Sequence, residues 1–208
     1  MPYLLNNGAR VAELSGQHLY LTLVSLGIAI LIGLPLGIII HRIRWLRGPV
    51  LGVFSVLYTV PSLSLLVLLI PFTGLSATTA IVALVIYAQL VIVRNTLAGL
   101  EGVDARTVEA ARGMGMGNWQ RLWQVELPLA SPVILAGIRI ATVATIGIGT
   151  IAAFINAGGL GVLLFEGVRT SNYDKIVAGA IAVSLLAIAI NWALRFVERR
   201  LELRVRGV

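Results

Sequence analysis

Five stretches of this chain, roughly 19–40, 49–72, 76–93, 130–155 and 176–197, are each apolar over a length close to a bilayer's thickness. A helix needs about 20 such residues to cross. In hydrocarbon every backbone N–H and C=O must find its partner inside the segment or in a closed barrel. The in–out alternation of barrel strands is missing, so the five stretches are predicted to be helices. The fold class that follows is an all-α, polytopic membrane protein with five transmembrane helices. Composition agrees: 12% of residues are charged, against about 25% in a soluble domain. No internal repeat or low-complexity linker divides residues 1–208, which read as one transmembrane domain. The opening "MPYLLNNGARVAELSGQ" lacks the basic, apolar and small-residue succession of a cleaved signal peptide.

The basic residues orient the spans. Twelve arginines fall in the 42–47 loop, in the 94–121 region and after the last span, whereas Arg10, Arg169 and Lys175 lie on the other side. The predicted topology therefore has the N-terminus outside and the C-terminus in the cytoplasm. The net charge of +7 belongs to this membrane asymmetry, and no nucleic-acid partner is expected.

No Asp or Glu lies inside a span. Ion-coupled carriers and proton relays keep such groups at membrane depth, so the energy for uphill transport would have to come from another subunit. The chain has no G-x-x-x-x-G-K-[ST] loop to cradle ATP phosphates. It has no cysteine and no convergent set of catalytic side chains, which speaks against an intramembrane enzyme. A channel would conduct without nucleotide and is the third class to weigh.

Within the spans, Gly33 and Gly37 form a small-x-x-x-small pair that permits close helix packing. Arg139 lies about 12 Å into its helix, where it either snorkels to the interface or serves gating. Pro61 in "YTVPSLS" predicts a kink. Tyr58, Thr59, Ser62 and Ser64 surround it with hydroxyls, for helix packing or for lining a translocation path. The tryptophans at 45, 119, 123 and 192 all belong to the cytoplasmic half, so no outward-facing aromatic cage is expected.

The stretch 108–128, "VEAARGMGMGNWQRLWQVELP", is half-polar between two apolar spans. Asp104 or Thr107 can cap a short helix carrying Glu109, Ala110 and Ala111. Gly113, Gly115 and Gly117 permit a reversal. Asn118 can cap a second helix, with Trp119, Leu122 and Trp123 on one face, and Pro128 is expected to end it. Such a hairpin either protrudes toward a partner or rests its tryptophans on lipid headgroups.

Its spacing resembles the EAA loop of binding-protein-dependent ABC transporter permeases: Glu109-Ala110-Ala111, then Gly115, then Val125, Leu127 and Pro128, with Val125 where the family often has Ile. Further stretches, among them "YTVPSLSLLVLLIPFTGLS" and "FINAGGLGVLLFEGV", resemble permeases for osmoprotectants such as glycine betaine, carnitine and choline. The resemblance runs from about Gln17 to Arg199. It implies the MetI-like type I importer fold, a bacterial inner-membrane location and a cytoplasmic coupling loop at about 95–128. It also implies two cytoplasmic ATPase subunits that bind ATP and Mg, a second permease subunit, the same or homologous, and an extracytoplasmic substrate-binding protein. No cofactor is expected in this chain. A permease for another small solute, such as an amino acid or an oxyanion, is the alternative within the class.

Overall fold

The computed structural model describes Tyr3 and residues 6–206, with side chains as far as Arg200. The side chains of Arg204 and Arg206, counted above in the charge asymmetry, lie outside the described residues. In chain order the helices are α1 (Gly8–Arg42), α2 (Arg47–Thr59), α3 (Ser62–Thr73), α4 (Ala77–Glu101), α5 (Ala105–Gly113), α6 (Asn118–Arg121), α7 (Leu127–Gly149), α8 (Gly161–Arg169) and α9 (Tyr173–Arg206). No strand occurs among the described residues.

Helix α4 is the axis of the bundle: it packs against α1, α7, α2 and α3. Glycine governs its two main contacts. A β-carbon on Gly33 or Gly37 of α1 would come within 2.8 Å of Ile92 or 2.6 Å of Thr96 on α4. One on Gly137 of α7 would stand 2.2 Å from Asn95. The small-residue pair read from the sequence is therefore a packing seam. Along α1 the buried residues Leu14, His18, Leu21, Ser25, Ala29, Gly33, Gly37 and Ile40 recur every three or four positions, which is one face of a helix.

The second predicted span differs from expectation. In place of one kinked helix there are two, α2 and α3, bent by 101° at their junction. At 13 and 12 residues, each reaches only about 20 Å, short of the roughly 30 Å hydrocarbon core. Proline forces the residue before it out of the helical region, and Val60 is extended at ψ 128°. Pro61 then sits at the N-cap of α3, where its missing N–H costs nothing.

The other spans are longer than their apolar cores. α1 and α9 have 35 and 34 residues, and α7 is continuous with the helical turns on either side, from Asn118 to Ile155. The short helix α8 was not expected from sequence. It follows a reversal in which Asn156, Gly158 and Gly159 all have positive φ. Gln17 accepts a hydrogen bond from the Gly159 N–H at 3.1 Å, tying α1 to this turn.

Arg139 is not an isolated charge. Its guanidinium donates to Glu198 at 2.9 Å and to Asn191 at 3.3 Å, both on α9. This ties α7 to α9. Glu198 lies one residue beyond the predicted end of the last span, within a helix that continues past it.

Candidate functional site

Two short helices and a glycine turn form the polar hairpin. The Asp104 carboxylate accepts from the Arg106 N–H at 2.9 Å and caps α5. Gly115 has φ +83° and makes the reversal, while a β-carbon there would meet open space. The second helix is built differently from expectation. Gly117 occupies the N-cap, and Asn118 is the first helical residue. The Asn118 side chain accepts instead from the Arg121 guanidinium at 3.2 Å, because a charged donor outcompetes a backbone N–H.

Pro128 does not end the second helix. Residues Leu122–Glu126 form a π turn, in which the Leu127 N–H donates to the Leu122 carbonyl five residues back. The chain then runs directly into α7. A proline inside a helix lacks its N–H and clashes with the carbonyl four residues earlier; a wider turn before it relieves both faults. The face predicted for Trp119, Leu122 and Trp123 is split at the packing edge. Leu122 is buried with Leu100, Ala130 and Ile134, whereas Trp119 and Trp123 are 73% and 63% exposed.

The remaining predicted loop residues fall into two groups. Glu109, Ala110, Gly115 and Pro128 are exposed; Ala111 is buried, and Val125 and Leu127 are half-buried against the bundle. The hairpin thus has an anchored side and a free side, and the free side carries Met114 and both tryptophans, all strongly exposed.

What anchors it escaped the sequence reading. Glu126, buried, accepts from Arg121 at 2.7 Å and from Arg42 at 3.0 Å. Arg121 is also buried, and Arg42 is the last residue of α1. The π turn lets Arg121 and Glu126, five apart, face one another. This clamp joins the hairpin to the end of the first span. A second pair, Arg47 with Glu101, joins the start of α2 to the end of α4. The 42–47 and 101–126 segments therefore share one end of the bundle, as the charge count predicted. A hint lay in the sequence: Glu126 is the only carboxylate between Glu109 and Glu166.

At the break between α2 and α3, Tyr58, Thr59 and Pro61 are exposed and Ser62 is half-buried. Thr59 donates to the Val56 carbonyl of its own helix at 2.7 Å, which is a backbone-satisfying role. Tyr87 of α4, unnoticed in the sequence, donates its hydroxyl to the Val60 carbonyl freed by the break. Its ring meets Tyr58 edge to face, 6.0 Å between centroids. The structure brings Tyr58 a second aromatic ring, then, but the space between them is tightly closed.

Comparison with known proteins gives this geometry a family. The protein is 46% identical to the osmoprotectant import permease protein OsmW of Salmonella typhimurium, over 92% of each chain. It is 40% identical to the glycine betaine/carnitine/choline transport system permease protein OpuCB of Bacillus subtilis, over 96% of this chain and 92% of that protein. Among solved structures, the inward-facing MetNI methionine ABC transporter matches with a TM-score of 0.82 at 26% identity, over 89% of this chain and 93% of that chain. The family described as binding-protein-dependent transport system inner membrane component matches residues 29–205. An apolar bundle that exposes an anchored, half-polar hairpin at its basic end is thus accounted for: the chain belongs to the binding-protein-dependent transport system inner membrane components.

Proposed function

We propose that this chain is the permease subunit of an ABC importer for osmoprotectants, quaternary amines of the glycine betaine, carnitine and choline type. The observation that carries the reading is similarity over 92–96% of this chain, at 38–46% identity, to permeases named for these solutes. The methionine transporter that shares the fold is more distant, at 26%. The chain works in the bacterial inner membrane as a single permease domain, with its N-terminus outside and its C-terminus in the cytoplasm. It pairs with a second permease subunit, two cytoplasmic ATPase subunits and an extracytoplasmic substrate-binding protein. ATP and Mg belong to the ATPase subunits, which supply the free energy of hydrolysis.

The free side of the hairpin, with Glu109, Ala110 and Gly115, is the contact for the ATPase subunit. Closure of the ATPase pair displaces the hairpin. The clamp from Arg121 through Glu126 to Arg42 passes that displacement to α1, and the direct run of π turn into α7 passes it to the fourth span. The break at Pro61 is the flexible point near the path, with Tyr58, Thr59, Pro61 and Ser62 beside it. High-affinity recognition resides in the binding protein.

The test is reconstitution with an ATPase subunit and a substrate-binding protein of the same transporter family. Glycine betaine, carnitine or choline, delivered by the binding protein, is expected to stimulate hydrolysis and drive uptake. Stimulation only by an amino acid or an oxyanion would overturn the solute assignment, and uptake without nucleotide would overturn the importer.

A further inference from the structure

Beside the clamp lies an open cavity of about 590 Å³, walled by the end of α1, the Arg44–Leu46 turn, the end of α4 and α5. Five arginines line it, at 42, 44, 47, 112 and 121, against three glutamates, at 101, 109 and 126. Glu126 is taken by Arg42 and Arg121, and Glu101 by Arg47. Arg44 and Arg112 have no carboxylate partner among the described residues, and Glu109 is the one unpaired acid on the wall. The balance is two positive charges in a concave site, which focuses potential on an anion. His41 also lines it, with Nδ1 buried and unpartnered. Guanidinium groups match phosphate oxygens in paired hydrogen bonds.

We propose that this cavity is a binding site for a phosphate-bearing anion, held by Arg44 and Arg112. Its volume suits a phosphate with a small substituent. Its level suits a lipid headgroup, because it lies where α1 ends, and the residue after its Arg44 is Trp45, 75% exposed, a residue type that marks the membrane interface. A free phosphate or pyrophosphate carries the same chemistry. α5 supplies Ala105, Val108, Glu109 and Arg112 to the wall, so an occupant bridges Arg112 on α5 to Arg44 beside α1. Occupancy therefore stiffens the hairpin against the first span. The site does not depend on which solute is carried.

The experiment uses the purified full-length chain and three probes: dioctanoyl phosphatidylglycerol, pyrophosphate and, as a zwitterionic control, dioctanoyl phosphatidylcholine. Saturable binding is read by native mass spectrometry and by the shift in thermal midpoint. Phosphatidylglycerol or pyrophosphate is expected to bind and stabilise the chain, and the control lipid to do neither. The double variant Arg44→Gln/Arg112→Gln keeps both ion-pair systems intact and is expected to bind roughly tenfold more weakly. Arg195→Gln, an exposed arginine on α9 outside the cavity, is expected to bind as the unaltered chain does. Competition by pyrophosphate at equal strength assigns the site to a soluble anion, and lipid binding that pyrophosphate does not displace assigns it to a headgroup. No saturable binding of either anionic probe overturns the proposal. So does unchanged binding in the double variant, or equal loss in Arg195→Gln.

Discussion

At Gly115 the backbone has φ +83°, whereas at Gly117 it has φ −66°, and a β-carbon at either position meets open space. The two glycines carry equal weight in the sequence, yet only the first needs to be glycine. Gly115→Ala is expected to cost about 1–2 kcal/mol locally, and Gly117→Ala to be near neutral. Gly115→Asp and Glu109→Lys should lower solute-stimulated hydrolysis at equal complex yield, because both alter the free side of the hairpin. Normal stimulation in both removes the coupling assignment. The clamp makes a different prediction. Glu126→Ala leaves Arg121 buried without a carboxylate and should destabilise the chain by about 3–5 kcal/mol, seen as a lower thermal midpoint in detergent. Joint replacement, Arg121→Met with Glu126→Leu, should recover much of that loss. The clamp was hard to read from sequence because a spacing of five is off-face in an α-helix; only the π turn aligns it.

Among elements, α2 and α3 carry the clearest lesson. A proline amid apolar residues reads as a kink, and hydropathy cannot distinguish a kink from a break. What decides it is an acceptor left over at Val60 and a donor on another helix, Tyr87, placed to receive it. Tyr87→Phe leaves that carbonyl unpaired and should cost about 1–3 kcal/mol, with the thermal midpoint as the readout. Tyr58 tests the path. Tyr58→Ala is expected to lower the maximal uptake rate more than Tyr58→Phe, at fixed binding-protein concentration. Uptake at the unaltered rate in the alanine variant would sink that assignment. By contrast, the glycine side of the α1–α4 seam was legible, because Gly33 and Gly37 four apart permit close approach, but its partner residues Ile92 and Thr96 on α4 came only with the fold.

For the whole molecule, the second of the five spans is two short helices, neither of which reaches across by itself, whereas the other four were legible because the bilayer imposes a length on each one. The ends were not, because helices continue past the apolar region wherever pairs such as Arg42 with Glu126 and Arg139 with Glu198 stabilise them. Topology is open to direct test in this cysteine-free chain. Leu75, 61% exposed, lies at the end of the bundle opposite the clamp, and Gln120 is exposed on the hairpin. An impermeant thiol reagent applied to intact cells should label Leu75→Cys and spare Gln120→Cys. The reverse pattern inverts the topology and removes the hairpin from the ATPase's compartment. The final helix has a consequence of another kind. Only 11% of the most apolar stretch of α9 is buried, against 56% in α4, and α9 packs chiefly on α7 and α8. The central bundle of α1, α4 and α7 is built entirely from residues that precede α9 in the chain. The last span joins the rest late, through α7, α8 and the Arg139–Glu198 pair, and leaves most of its apolar surface uncovered.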